Sequence, residues 1–249
     1  MKKHFFSLFP VLIMTTLSLI SCGSEKDTKT YVFAVEATWP PMEFVDDSGE
    51  MVGFDIDMID AIAQKAGFEY ELRNTGWDGI FAGLANGSYD GIISAVTITD
   101  ERKAAMDFSQ AYLNAGQILL VPAAYDGPAT LESFSDKVLG AQQGTTGDFV
   151  IEDAGIERRG YDEIGLAVED LVNGNLDGVV VDSITAADFV VMNPAYDGTL
   201  KVIGEPFTTE EFGIAVKKGN SQLLELVNQG LAAVLEDGTH EEIVETWLR

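Results

Sequence analysis

Two oppositely charged side chains, Arg102 and Asp182, are the first residues in this sequence that could bind a charged small molecule. Arg102 follows Thr99 and Asp100, either of which would cap a helix. A cation in the first turn of a helix is unfavourable, because the macrodipole already places positive charge there. A ligand carboxylate would compensate, since a guanidinium donates two parallel hydrogen bonds to it. A surface ion pair of Arg102 with Asp100 or Glu101 explains the sequence equally well.

Asp182 ends the apolar segment 176–181 and could accept hydrogen bonds from a ligand's ammonium group. By itself it is more typical of an N-cap for the helix that follows.

In QQGTTG (142–147) a predicted strand gives way to a helix, whose free N–H groups favour an anion, although the lysine of a phosphate loop is missing. Arg102 and Thr145 on one side and Asp182 on the other would satisfy a carboxylate and an ammonium together, which are the charges of an α-amino acid.

The elements that must position these residues contain a pattern that occurs twice. AGLANGSYDGIIS (82–94) and EDLVNGNLDGVVV (169–181) have Leu, Asn, Gly, Asp and Gly in the same places. Each copy predicts the end of a helix, a left-handed Asn-Gly stop and a short buried strand. Because ligands in open α/β sheets bind beyond the carboxyl ends of the strands, the residues after each copy are expected at a binding site.

Strands and helices alternate around both copies, which predicts an α/β protein of two lobes, each with a mostly parallel sheet flanked by helices. The predicted strands are 31–37, 68–74, 90–96, 116–124, 137–142, 176–182 and 210–219. The predicted helices are 53–67, 77–87, 145–154, 164–174, 183–193, 221–238 and 240–248.

The chain is expected to cross between the lobes twice, near residues 118 and 208, if its last two helices pack on the first lobe. The first lobe would then contain residues 30–117 and 209–249, and the second lobe residues 118–208. Two crossings make a hinge, and the cleft between hinged lobes is a natural site for a small molecule.

The amino-terminal residues predict export from the cytoplasm. The apolar run from residue 5 to residue 20 follows two lysines and is shorter than the ~20 residues of a transmembrane helix. It ends in LISC (19–22), which resembles the lipobox of bacterial lipoproteins, whose cysteine carries a lipid. Residues 1–22 are therefore expected to be a signal peptide and 23–29 a polar tether. An uncleaved anchor with an unmodified thiol is the alternative. Cys22 is the only cysteine, so an intrachain disulfide is excluded.

The composition argues against several classes of partner. The chain has 41 acidic and 15 basic residues and a formal net charge of −26, which disfavours binding to nucleic acid or to an anionic lipid surface. No cluster of His and Cys suggests a metal site or another cofactor. The histidines, His4 and His240, are too far from the predicted strand ends for a Ser-His pair. A monomer is expected.

On these residues the chain resembles the extracellular amino-acid-binding proteins of ABC transporters, the solute-binding proteins of family 3. The segments that carry the resemblance are ATWPPMEF (37–44), GIISAVTITDERKAAMDFSQAY (91–112), QQGTTGD (142–148) and GTHEEIVETW (238–247). It covers nearly all of the chain after Cys22. It implies the two-lobed type II fold of periplasmic binding proteins, an ABC permease as partner, and capture of a free L-amino acid by closure of the lobes. It also implies a place outside the cytoplasm, in the periplasm or lipid-anchored to the cell membrane.

The resemblance also implies roles for individual residues. Arg102, helped by Thr97 and Thr145, would bind the ligand carboxylate, and Asp182 with Ala95 and Thr97 would bind the ammonium. Two tryptophans would enclose the ligand side chain, unless they are ordinary core aromatics. The expected ligand-binding residues are Glu36, Trp39, Trp77, Ser94, Ala95, Thr97, Arg102, Gln142, Thr145, Thr146 and Asp182.

Selectivity is expected to depend on Glu36, Gln142 and Val181 in the side-chain pocket. A buried carboxylate at position 36 would favour a polar or basic L-amino acid, because an apolar one would leave it unpaired. The alternative is a Glu36 that faces solvent at the end of a strand. Two other functions stay open: a lyase resembling cyclohexadienyl dehydratases, with Glu36 or Asp182 as its acid, and a ligand-sensing module.

Overall fold

The computed structural model describes residue 1 and residues 29–249. Cys22, nearly all of the predicted signal peptide and the tether up to residue 28 lie outside the described residues. Within residues 29–249, no helix is long and apolar enough to span a bilayer.

Strands and helices alternate along the described chain. The strands are β1 (Thr30–Val35), β2 (Thr38–Trp39), β3 (Glu43–Val45), β4 (Met51–Val52), β5 (Glu69–Asn74), β6 (Gly91–Ile92), β7 (Met106–Ala115), β8 (Gln117–Pro122), β9 (Val138–Gln142), β10 (Glu157–Tyr161), β11 (Gly178–Asp182), β12 (Leu200–Ile203) and β13 (Glu210–Lys217). The helices are α1 (Phe54–Ala66), α2 (Trp77–Asn86), α3 (Asp100–Ala105), α4 (Thr146–Asp153), α5 (Ile164–Val172), α6 (Ser183–Ala187), α7 (Ser221–Glu236) and α8 (Thr239–Trp247).

Ten of the strands form two five-stranded sheets, one in each lobe, and β2, β3 and β4 form a small antiparallel sheet of their own. The order is β5-β1-β6-β13-β7 in the first lobe and β10-β9-β11-β8-β12 in the second. In each sheet the first three strands pair in parallel, the fourth (β13 or β8) is antiparallel to both of its neighbours, and the fifth runs in the same direction as the first three. The prediction of mostly parallel sheets is therefore confirmed, and the one reversed strand of each sheet is the strand that directly follows a crossing.

The repeated sequence corner is a repeated structural corner. Gly87 ends α2 with φ 83°, and Gly174 follows α5 with φ 77°, so each Asn-Gly pair stops a helix in the left-handed region. The strands that follow, β6 and β11, are both the central strand of their sheet. The same local sequence thus delivers the chain to equivalent places in the two lobes.

Two predicted elements differ from the structure. The strand expected at 90–96 is only two residues long, because the chain leaves the sheet after Ile92 and Ala95 takes a left-handed backbone with φ 44°. The helix expected at 183–193 is α-helical only to Ala187 and continues as a π-helical turn, Asp188–Met192.

The two crossings between the lobes lie side by side. The first is Gly116 alone, which joins β7 to β8, and the second joins β12 to β13. A side chain at Gly116 would collide with the backbone of Thr208 in the second crossing. The close approach explains the glycine, since any larger residue would push the crossings apart.

The C-terminal helices pack on the first lobe, against α1. Gly230 of α7 lies so close to Ile62 of α1 that a Cβ at this position would collide with the Ile62 backbone. The two predicted crossings required the last two helices to pack on the first lobe, and the structure shows this packing. The exact boundaries of the lobes, at residues 117/118 and 208/209, stay a prediction.

Candidate ligand-binding site

Every residue of the predicted set lines one small cavity between the lobes. Glu43 lines it too, although the sequence prediction did not include it. Val181 was expected in the side-chain pocket but lies in the hydrophobic core. Its neighbour Asp182 reaches the cavity instead, because successive residues of a strand point to opposite faces.

The cavity lies where the parallel strands end. Glu36 directly follows β1, Ser94 follows β6, Gln142 ends β9 and Asp182 ends β11. These are the strands on which the sequence prediction depended, since ligands of open α/β sheets bind beyond their carboxyl ends. Each lobe therefore contributes polar groups from its central strands to the same small space.

Arg102 is buried in α3, with 9% of its surface exposed. Thr99 caps this helix, and its hydroxyl accepts a hydrogen bond from the Arg102 backbone N–H at 3.1 Å. The guanidinium donates to the backbone carbonyl of Thr97 at 3.0 Å and to that of Gly144, in the second lobe, at 3.5 Å. The rest of its five N–H groups have no hydrogen-bond acceptor among residues 29–249.

No carboxylate neutralises this guanidinium: none in residues 29–249 has an oxygen within 4.0 Å of its nitrogens. The surface ion pair that the sequence allowed is wrong, since Asp100 pairs with Lys103 at 3.7 Å. Burial lowers the pKa of Arg102 to about 10, an effect that the charges of Glu210 and Asp182 oppose. The side chain is therefore a buried cation at neutral pH, which is a site for an anion.

Asp182 also lines the cavity and is 7% exposed. It occupies the N-cap position of α6, but its side chain makes no capping hydrogen bond, so the interpretation as a simple cap is wrong. Its carboxylate accepts from the Gln117 amide at 2.9 Å. Burial, together with the nearby charge of Glu210, raises the pKa of Asp182 to about 8. An ammonium group would stabilise the ionised form.

The hydroxyl groups of the three threonines in the cavity already donate hydrogen bonds to other groups of the protein. Thr97 and Thr146 each donate to the carboxylate of Glu210 at 2.8 Å. Thr145 donates to the backbone carbonyl of Gln142 at 2.7 Å and caps α4 by accepting from a backbone N–H. A hydroxyl has a single hydrogen, so none of the three can donate to a ligand carboxylate in this arrangement.

Glu36 is 4% exposed, so the solvent-facing alternative is wrong. The Gln142 amide nitrogen, from the second lobe, donates to both Glu36 carboxylate oxygens and to the backbone carbonyl of Asp162. Burial raises the pKa of Glu36 to about 7. The amide oxygen of Gln142 is buried and has no partner among the described residues. This end of the cavity thus offers acceptors.

Glu43 and Asp55 form a buried carboxyl pair behind Glu36. The Ser94 hydroxyl donates to Glu43 at 2.6 Å, and the Ala95 backbone N–H donates to Asp55 at 2.7 Å. One oxygen of each carboxyl group has no conventional donor among the described residues. Burial and the neighbouring charge raise the pKa of Glu43 well above its usual range, and burial raises that of Asp55 to about 6. A proton held by Glu43 would bond the two groups.

Trp39 and Trp77 are buried at the cavity, and neither indole N–H has a partner among the described residues. The Arg102 guanidinium lies 5.4 Å from the Trp77 ring and 4.9 Å from that of Phe81, within cation–π range. In residues 29–249, no group of His, Cys, Asp and Glu is arranged to hold a metal ion.

The sequence relatives are amino-acid-binding proteins. A probable histidine-binding protein of Neisseria gonorrhoeae is 36% identical over 247 residues, covering 93% of this chain and 91% of that protein. The L-cystine-binding protein TcyJ of Escherichia coli K12 is 35% identical over 255 residues, covering 99% and 95%.

A solved structure of an ancestral arginine-binding protein bound to arginine superposes with a TM-score of 0.83 at 40% identity, covering 88% of this chain and 98% of that one. Residues 31–249 match the family model of the bacterial extracellular solute-binding proteins, family 3. The chain belongs to this family, and its two-lobed α/β fold is the fold that the sequence predicted.

Proposed function

We propose that the protein binds a free basic L-amino acid between its lobes and delivers it to an ABC permease. The observation that carries this proposal is the charge distribution in the cavity, with one unpaired buried cation, Arg102, facing the buried acids Glu36 and Asp182. A zwitterion with a cationic side chain has the complementary distribution. Relatives named for histidine and arginine support a basic ligand.

The main-chain groups of the ligand lie between Arg102 and Asp182. The guanidinium binds the α-carboxylate with two parallel hydrogen bonds, and the free N–H groups in the first turn of α4 add to them. Asp182, with the oxygens of Ala95 and Thr97, accepts from the α-ammonium. Pairing both charges offsets the several kcal/mol that burying each one costs.

The side chain of the ligand lies toward Glu36 and Gln142. The Glu36 carboxylate and the unpaired Gln142 oxygen accept hydrogen bonds from a guanidinium, ammonium or imidazolium. Trp39 and Trp77 enclose the aliphatic part. An apolar side chain would leave these acceptors unpaired, so it is disfavoured.

Closure of the lobes captures the ligand. The cross-lobe hydrogen bonds from Gln142 to Glu36 and from Arg102 to Gly144 support a closed state whose formation the ligand favours by pairing with both lobes. The protein acts as a monomeric receptor and not as an enzyme. It works outside the cytoplasm, where a lipid on Cys22 anchors it to the membrane after cleavage directly before this cysteine has removed residues 1–21.

Thermal unfolding of the protein with each standard L-amino acid tests the proposal. A ligand at about 100 times its dissociation constant should raise the midpoint by about 5 to 10 °C, and only basic amino acids should do so strongly. Arg102→Ala should abolish the shift. Prephenate should be recovered unchanged, since a dehydratase-like lyase would convert it. If no amino acid shifts the midpoint of ligand-depleted protein, the proposal is wrong.

A further inference from the structure

Glu210 is a buried carboxylate at the start of β13 that receives hydrogen bonds from several separate parts of the chain. One oxygen accepts from the hydroxyls of Thr97 and Thr146, both at 2.8 Å, and from the Gln117 amide at 3.3 Å. The other accepts from Thr208 at 2.9 Å. No Lys or Arg nitrogen in residues 29–249 lies within 4.0 Å of it. Burying such a charge is costly, so stability alone favours a neutral residue here.

These hydrogen bonds decide what Thr97 and Thr146 can offer at the cavity. Both residues line it, whereas Glu210 does not. Because each hydroxyl donates its hydrogen to Glu210, it can bind a ligand only as an acceptor, and the Thr146 oxygen already accepts one hydrogen bond from the Gln117 amide at 3.1 Å. The two threonines are therefore acceptors. They can accept from an ammonium group, and they repel a carboxylate in the same place.

The Gln117 amide connects this arrangement to Asp182. Its nitrogen donates to Asp182 at 2.9 Å and also lies within hydrogen-bond distance of Glu210. The charged groups facing Asp182 are Glu210 on β13 and Arg102 on α3, and the negative one contributes to the raised pKa of Asp182. Glu210 thus strengthens the negative potential at the wall where a cation is expected.

We propose that Glu210 is a positioning residue for the ligand's α-ammonium group, which it selects by turning the Thr97 and Thr146 hydroxyls into acceptors. The inference rests on the proposed function, because it assigns the ammonium to this wall. Glu210 acts without touching the ligand. A substitution of Glu210 should therefore weaken the binding of ligands that have an α-amino group and spare ligands that lack one. A residue that only stabilises the fold would not distinguish between the two kinds of ligand.

The test compares L-arginine with 5-guanidinopentanoic acid, which is arginine without its α-amino group. Binding is measured by titration calorimetry, with displacement of the weaker ligand by the tighter one. Glu210→Gln removes the negative charge and replaces one of the two acceptor oxygens with an amide donor, so the hydroxyls of Thr97, Thr146 and Thr208 can no longer all donate to this side chain as they do now. We expect an affinity for L-arginine lower by about 10- to 100-fold and a change below about threefold for 5-guanidinopentanoic acid.

The matched control is Glu211→Gln, on the next residue of the same strand, whose side chain is exposed. It should bind both ligands as the wild type does. Thr146→Val keeps Glu210 and removes one hydroxyl, so it should reproduce the ammonium-dependent loss even if Glu210→Gln does not fold. Equal losses for the two ligands in both variants, or no loss, would overturn the inference. A wild type that binds no amino acid would contradict the proposed function instead.

Discussion

The side-chain amide of Gln142 in the second lobe donates to both carboxylate oxygens of Glu36 in the first lobe, over 2.7 and 2.8 Å. This contact links the choice of ligand to the closure of the lobes, because the two groups that would bind the ligand side chain also bind each other across the cleft. A cationic side chain can pair with Glu36 without displacing the amide, since a carboxylate accepts about four hydrogen bonds. An apolar side chain gains nothing from the same contact.

Glu36→Gln should change which amino acids bind. The substitution keeps the size of the side chain and removes the charge, so the affinity for L-arginine should fall by about 10- to 100-fold while that for L-glutamine changes less. Titration calorimetry measures both. Glu71→Gln, on the exposed surface of β5, should leave the ranking as it is. An unchanged ranking in Glu36→Gln would sink the assignment of Glu36 to the side-chain pocket.

Arg102→Lys should weaken binding although it keeps the positive charge. A lysine cannot donate two parallel hydrogen bonds to a carboxylate or keep the contacts with Thr97 and Gly144. We expect at least a roughly tenfold loss of affinity for the same amino acid, with a cooperative unfolding transition retained. Arg73→Lys, at an exposed position, is the control. Wild-type affinity in Arg102→Lys would mean that the carboxylate binds elsewhere.

The Glu43–Asp55 pair should make stability depend on pH. Burial raises the pKa of both carboxyl groups in the folded protein, so the folded state holds protons that the unfolded state releases as the pH rises above about 4. The stabilisation is therefore complete at low pH and is lost as the pH rises from about 4 through 6 and beyond. The unfolding midpoint should fall over this range.

Glu43→Gln should reduce this fall, because the amide stays neutral and can still donate to Asp55. The measurement is the unfolding midpoint at several pH values from 5 to 8 without ligand. The exposed Glu50→Gln should keep the wild-type slope. The same slope in Glu43→Gln would show that the pair does not hold the proton.

Two glycine substitutions should have opposite effects on stability. Gly230→Ala forces a methyl group into the Ile62 backbone and should destabilise the protein by about 1 to 3 kcal/mol. Gly165→Ala, in α5 with nothing near its Cβ position, should stabilise it by up to about 1 kcal/mol. Chemical denaturation measures both. Equal effects would contradict the close packing of α7 on α1.

Most helices and strands could be predicted from the sequence, because glycines mark the ends of the helices and continuous apolar segments mark the buried strands. Gly67, with φ 71°, ends α1 at the residue that the sequence predicted. The strand β10, Glu157–Tyr161, was missed because its sequence ERRGY is charged and mostly exposed, as an edge strand can be. β7 was missed because polar residues interrupt its apolar pattern, and most of its residues are only partly buried.

The cavity residues could be predicted where they follow strand ends or belong to segments that resemble the family. Glu43, Asp55 and Glu210 were missed, because acidic residues are usually exposed and the sequence offers many of them. A signal for Glu210 existed: it shares its face of β13 with Phe212 and Ile214, so the alternation of the strand places it inside. Its partners come from distant parts of the chain, which no local pattern reveals.

The contact between Gly116 and Thr208 brings the two crossings together at one place. We expect the lobes to move relative to one another by rotation about this place, through changes in a few backbone torsions. Such a rotation separates Gln142 from Glu36 and Arg102 from Gly144 in one movement, since each pair spans the same opening. We therefore expect release of the bound molecule to be an all-or-none event. The ligand should not leave from a partly opened protein in which one of the two cross-lobe contacts is still present.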